Sequence, residues 1–233
     1  MADRPILFQG AMVRANLADT KTQTRRVVKP TTGRPIDFVG GGPKGGADWN
    51  NPECWGYEQH DSGIWVLLKP TDASEAQYPC PYGMPGDRLW VKETYFAFGR
   101  WETRFSAKKG RDEWHFVDMT LECDRAYQYA ADGAPQMPAQ GKRHGGVTPG
   151  WWKRPAIFMP RAASRITLEI ADVHVERLQE ISEADAEAEG VAFMRRVPDV
   201  DETLTGRQLY ACLWDSINGA DSWDVNPWVW AVS

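Results

Sequence analysis

The sequence predicts an α+β fold: a small β-barrel with flanking helices and two long insertions. Three observations carry that reading. Residues 165–178 (RITLEIADVHVERL) alternate as a strand does, then change phase by one residue near Ala171-Asp172. Such a slip marks a bulge or sharp bend, the device by which a small sheet curves and closes. Residues 182–189 and 206–217 carry helix signals. Finally, of 21 Gly, 16 Pro and 12 Trp, polar stretches near 31–83 and 97–150 hold much of the Gly and Pro and five of the Trp. A single domain over 1–233 is expected, with those two stretches as insertions in a barrel of about 100–130 residues.

Taken in order, Ile6–Phe8 is a short apolar run, and Met12, Ala15 and Leu17 suggest a short helix after it. Thr20–Lys29 (TKTQTRRVVK) is basic and β-branched, a turn followed by a strand that Pro30 stops. In the first insertion, Ile64–Leu68 is a candidate strand. GGGPKGG lacks the spacing of a phosphate-binding Walker loop and reads as a flexible connection. Pro85-Gly86-Asp87 makes a turn into a strand in which Leu89, Val91 and Glu93 alternate with Trp90, Lys92 and Thr94. The second insertion reads as polar, with a strand over 126–131 and a loop-like tail, PAQGKRHGGVTPG.

In the long strand, Ile166, Leu168 and Ile170 share one face, and Val173 and Val175 have the opposite parity. His174 within it is expected to be structural. Ser182 is placed to cap the helix 182–189, with Asp185 at the capping-box position, Ile181 as a staple and Gly190 as the stop. Residues 206–217 place Leu209, Leu213 and Ile217 on one helical face beside Tyr210 and Trp214. Residues 228–232 (WVWAV) close the chain as a strand.

Composition narrows the function classes. Lys and Arg number 27 and Asp and Glu 32, for a formal charge of −5. An acidic chain does not coat long nucleic acids by charge alone. No signal peptide and no run of about 18–20 apolar residues is found, so a cytoplasmic protein without membrane partners is expected. The four cysteines (54, 80, 123 and 212) form no C-x-x-C pair and are expected as free thiols. Cys54, His60 and Cys80 match no zinc spacing, so no metal is assigned.

Charge concentrates in two places. Lys21, Arg25, Arg26 and Lys29 lie close together, as do Glu180, Glu183, Asp185, Glu187 and Glu189. Both runs fit solvated faces, and both fit a basic strand and an acidic helix facing one another across a pocket. The order of elements resembles the ASCH family of the PUA-like superfamily. The segments that carry the resemblance are 6–26, PGDRLWVKE (85–93), 164–191 and NPWVWAV (226–232), about a third of the chain. The long form with Trp-rich insertions is similar to ASCH-like proteins of phages and prophages.

Within that family, the bacterial N4-acetylcytidine amidohydrolases carry a lysine and a threonine three residues apart, and a glutamate late in the acidic helix. The resemblance places these on Lys21, Thr24 and Glu189 as catalytic residues. Arg25, Arg26, Trp90 and Glu93 are the substrate-binding candidates. It implies a small nucleoside substrate and no cofactor.

The residue types suit the chemistry. Threonine needs a base to become a nucleophile. Lysine becomes a base when burial and neighbouring cations lower its pKa from about 10.4. Glu189, at the negative end of a helix and among other acids, suits a proton donor to the leaving amine. Arg26 would hold the oxyanion or the substrate, or pair structurally with a glutamate. On a regular strand Lys21 and Thr24 point to opposite faces, so Lys21 is expected in the turn before it. One insertion Trp is expected beside Lys21.

Two other readings fit the same family. One is a non-enzymatic module that binds RNA or modified DNA, with Arg25, Arg26, Arg161 and Arg165 along the phosphates and Trp side chains on the bases. The other is a ribonuclease that uses the same pocket.

Overall fold

The computed structural model describes residues 1–29, 56–58, 64–68, 75–133, 147–196 and 203–233. GGGPKGG, Cys54, His60, Trp49, Trp55 and most of the PAQGKRHGGVTPG tail lie outside the described residues. The strands are β1 (Asp3–Leu7), β2 (Thr24–Val27), β3 (Gly56–Glu58), β4 (Ile64–Leu68), β5 (Glu75–Pro79), β6 (Arg88–Lys92) and β7 (Tyr95–Ser106). They continue with β8 (Arg111–Asp118), β9 (Gln128–Tyr129), β10 (Gly150–Arg154), β11 (Thr167–Glu169), β12 (Val173–Arg177) and β13 (Trp228–Val232). The α-helices are α1 (Gly10–Leu17), α2 (Glu183–Ala188) and α3 (Gly206–Asn218).

The fold is therefore α+β. Among the described residues it has four small sheets, ordered β1-β6-β11, β10-β7-β8 with β9 also on β7, β12-β13-β2, and β3-β4-β5. None of the four closes into a barrel. The chain divides into two compact units, one of Met1–Arg4, Ala15–Leu89 and Leu168–Ser233, the other of Pro5–Arg14 and Trp90–Thr167.

In the first unit, β13 is the central strand of an antiparallel sheet, with Trp230 opposite both Val175 and Arg26. The phase slip near Ala171-Asp172 is the point where the chain leaves β11 and enters β12, in a different sheet. Ile170 is buried on one parity, and Val173 and Val175 on the other. α2 begins as expected: the Ser182 side chain accepts from the Asp185 N–H, and Ile181 before it is buried. Thr205 and Gln208 form a reciprocal capping box on α3, which buries Leu209, Tyr210, Leu213 and Trp214. A Glu183 carboxylate oxygen accepts the Gly206 N–H at the start of that helix.

In the second unit, β7 pairs with β10 on one side and with β8 and β9 on the other, all antiparallel. The core sets Tyr95, Ala97, Met159 and Ala163 against Phe116, Tyr127 and Tyr129. Trp101 packs on Phe116 and on Trp152, with ring centroids 5.3 and 6.0 Å apart. Gly99 is required at the crossing with β8, since a Cβ there would stand 2.1 Å from the Val117 carbonyl oxygen.

Several local expectations need correction. The polar stretch after residue 97 contains most of the long β7–β8 hairpin. Residues 126–131 hold only the two-residue β9 and part of a 3-10 turn, Ala130–Asp132. Leu17, one of the apolar residues that suggest α1, and Ile217, placed on one face of α3 with Leu209 and Leu213, are 51% and 41% exposed.

Candidate active site

The candidate site lies within the first unit and begins at the turn before β2. Asp19 adopts a positive φ of 54°, and the strand starts only at Thr24. Lys21 is thus in the turn, free of the alternation that governs the strand. Its backbone is held tightly: the Thr22 and Gln23 N–H groups donate to the Ala188 carbonyl, at 2.8 and 3.1 Å. Gly190, at φ +82°, lets the end of α2 approach, since a Cβ there would be 2.9 Å from the Cβ atoms of both Lys21 and Ala15.

These contacts deliver Glu189, the residue closing α2, to the Lys21 ammonium. Lys21 Nζ donates to Glu189 Oε2 at 2.6 Å, to the Glu189 carbonyl at 3.0 Å and to the Gln23 carbonyl at 2.6 Å. Three donors meet three acceptors, with both side chains at most 4% exposed. The Glu189 carboxylate also accepts from Arg25 Nη1 at 3.3 Å and from the Tyr210 hydroxyl at 3.2 Å. Tyr210 is presented by the buried face of α3.

Register explains the rest. The cross-strand rows of β2, β13 and β12 place Arg25, Ala231 and His174 together, and Val27, Val229 and Glu176 together. By alternation these rows share one face. The small Ala231 lets Arg25 reach across β13, and Arg25 Nε donates to Glu176 Oε1 at 2.5 Å. Glu176 Oε2 lies 3.5 Å from His174 Nε2, and Asp172 Oδ2 is 2.9 Å from His174 Nδ1. Gln23 links Arg25 to Asp185. The opposite face of the sheet carries Thr24 with Val232 and Val173, and Arg26 with Trp230 and Val175.

The two faces meet electrostatically at Lys21. Burial pushes its ammonium below the usual lysine range, Glu189 pulls it back, and both Arg26 and Arg25 depress it further. Burial also pushes the Tyr210 phenol well above its ordinary range, with the Glu189 charge adding to the effect. A buried lysine with a lowered pKa and one specific carboxylate partner is a functional-site signature, because an ion pair this deep is a poor source of stability.

Lys21 and Glu189 are therefore brought into contact. Arg25 joins them as an ionic tether. Thr24 is buried on the apolar face of β2, and the hydrogen bonds that gather Lys21 and Glu189 do not include it. Trp90 and Glu93 belong to the second unit. There Glu93 is buried, and its two carboxylate oxygens accept from Arg165 Nε and Nη2 at 2.9 and 3.1 Å. Of the insertion tryptophans, Trp101 and Trp114 also belong to the second unit. Sequence reasoning missed Glu176, Tyr210 and Gln23 as partners of the site. The one signal was an acid and a phenol set among apolar positions of β12 and α3. Among the described residues no group of three or more His, Cys, Asp or Glu is arranged to hold a metal ion, and no helix is long and apolar enough to cross a membrane.

His174 gives this network a pH signature. Its hydrogen bond to Glu176, with help from Asp172, raises its pKa from 6.5 to about 9. A raised pKa stabilises the fold fully below about pH 6.5, and that contribution is lost as pH rises through 9. Because the side chain is 41% exposed, screening reduces the effect to about 1 kcal/mol. Urea midpoints measured from pH 6 to 9.5 should fall with rising pH, and His174→Gln should flatten the fall. Equal slopes in both proteins would refute this role for the pair.

No family model matches the chain, and no curated protein or solved structure matches it either.

Proposed function

We propose that this protein is an amidohydrolase that removes an acyl group from the exocyclic N4 amine of cytidine or a related nucleoside. The observation that carries the reading is the buried Lys21–Glu189 contact of 2.6 Å, reached from the turn before a K-x-x-T strand. The β12-β13-β2 sheet, with the chain turning into it at Ala171-Asp172, is read as part of a PUA-like barrel.

The chemistry follows from where the protons sit. Passing one proton from Lys21 to Glu189 converts two desolvated charges into a neutral amine and a carboxylic acid. The amine keeps two N–H donors for the carbonyls of Gln23 and Glu189 and gains a lone pair. As the Thr24 oxygen attacks the acyl carbonyl, the amine turns about its Cε–Nζ bond, swings that lone pair away from Glu189 and takes the hydroxyl proton. The tetrahedral intermediate collapses by breaking the C–N bond, and Glu189 supplies the proton that the leaving N4 amine requires. Water then hydrolyses the Thr24 ester, releasing the carboxylic acid and restoring the hydroxyl. Arg26 shares the Thr24 face of β2 by register and is the cation assigned to the oxyanion. Arg25 positions Glu189 and does not touch the substrate.

Loss of the acyl group changes the ultraviolet spectrum of cytidine. Purified protein mixed with N4-acetylcytidine should therefore show an absorbance change that ends at cytidine and acetate. No change with any of several N4-acyl cytidines would refute the assignment.

A further inference from the structure

Arg25 tethers Glu189, and in doing so it resists the chemistry proposed above. A guanidinium beside a carboxylate favours the ionised form, so it hinders Glu189 from taking a proton from Lys21. Arginine keeps its charge at any working pH. Here its side chain is 1% exposed, so water does little to weaken that charge. The contacts are unequal, however. Arg25 Nε donates to Glu176 Oε1 at 2.5 Å, whereas Nη1 donates to Glu189 Oε1 at 3.3 Å. The shorter charge-assisted bond is the stronger one, and it goes to Glu176. Asp185 Oδ2 lies farther off, 3.9 Å from Arg25 Nη2.

Glu176 makes this contact from β12, across β13 and over the small Ala231. It shares a sheet face with Arg25 and is turned away from Thr24 and Arg26 on the other face. Burial opposes its ionisation, but His174 and Arg25 outweigh burial and hold its carboxyl below the usual range. Its charge is therefore present at neutral pH. Its second oxygen lies 3.5 Å from Nε2 of the half-exposed His174, whose Nδ1 lies 2.9 Å from Asp172 Oδ2. The Lys21–Glu189 pair itself is faced by Arg25 and Arg26 from β2 and by the Tyr210 hydroxyl from α3.

Resting on the amidohydrolase reading, we propose that Glu176 is a positioning residue for that reaction: it holds the Arg25 guanidinium toward itself and so leaves Glu189 able to take the Lys21 proton and deliver it. Without the Glu176 charge, Glu189 becomes the carboxylate nearest to Arg25. The guanidinium then closes on Glu189, and the proton stays on Lys21. Two consequences follow. Fewer molecules hold the neutral amine and carboxylic acid, so the chemical step slows. The pair has also lost a neighbouring negative charge, so it gives up its one proton at a lower pH. Substrate binding is untouched, because Glu176 lies on the face away from Thr24.

The test is N4-acetylcytidine turnover against pH in wild type, Glu176→Gln, Glu176→Asp and His174→Gln. The titration of the pair is read separately, from the Lys21 Cε signal of protein carrying carbon-13-labelled lysine, assigned with Lys21→Met. Glu176→Gln keeps an acceptor oxygen for Arg25 and should lower kcat about tenfold with KM unchanged. It should also move the high-pH loss of activity down by about one pH unit. Glu176→Asp restores the charge and should recover most of both. His174→Gln, at a half-exposed position where folding is not at stake, removes the cation that competes for Glu176. It should move the loss of activity upward, by less, because water screens that charge. The Lys21 midpoint should shift in the same directions, and its measurement needs no turnover. Absent wild-type turnover would refute the amidohydrolase reading, and shifted Lys21 midpoints would still support control of the pair by Glu176. Unmoved midpoints in Glu176→Gln and His174→Gln would overturn that control. So would a folded Glu176→Asp as impaired as Glu176→Gln, or a loss confined to KM.

Discussion

Glu189→Ala is expected to destabilise the protein by about 3 kcal/mol, the largest effect of any single change at the site. The substitution removes the acceptor of three buried donors: Lys21, Arg25 and Tyr210. Arg25 stays charged but keeps Glu176. Lys21 loses the carboxylate that holds its pKa up, so burial neutralises it, which limits the damage. Tyr210 is left with a buried hydroxyl that has lost its acceptor. Glu189→Gln keeps the shape and one acceptor oxygen, and should cost about 1–2 kcal/mol. Chemical denaturation with unchanged m values will measure both. A loss below about 1 kcal/mol for the alanine variant would mean that the network is not closed as described.

Lys21→Met should lower turnover of N4-acetylcytidine by about 10²–10⁴-fold, the usual range for loss of a general base. Methionine retains much of the lysine stem, and Glu189 keeps Arg25 and Tyr210, so the stability cost should be small beside the catalytic one. The wild-type rate should hold level while the pair keeps its one proton and fall as rising pH removes it, because Glu189 then has no proton for the leaving amine. The fall should centre below the usual lysine range, since burial, Arg26 and Arg25 lower the Lys21 pKa. A variant that folds and turns over normally would remove Lys21 from the mechanism.

The parts of the fold legible in the sequence were those encoded locally. The phase slip at Ala171-Asp172 found a true change of sheet because the buried positions change parity there, from Ile170 to Val173 and Val175. The Ser182 cap and the Gly190 stop were likewise readable, each being a single residue with a conformational job. The β7–β8 hairpin was not. Toward its tip both faces are polar and exposed, so the period-two signal fades after Trp101. Lys153 and Arg154 follow Trp151-Trp152 directly and break the apolar run, and the sequence reading has no strand over β10.

At the site, the Lys21–Glu189 contact spans 168 residues and was visible only through the resemblance. Glu176 and Tyr210 carried no spacing that pointed to Arg25 or Glu189. Their partnership is made by strand register across Ala231 and by the packing of α3, neither of which has a local signature.

The most direct measurement of the central claim is the rate of N4-acetylcytidine loss, followed by absorbance, for wild type and Lys21→Met side by side. The buried pair as the proton-transfer centre predicts measurable wild-type turnover and a loss of at least about 100-fold in a variant whose circular dichroism is unchanged. Equal rates in the two folded proteins, or no turnover of this or other N4-acyl cytidines by the wild type, would contradict it.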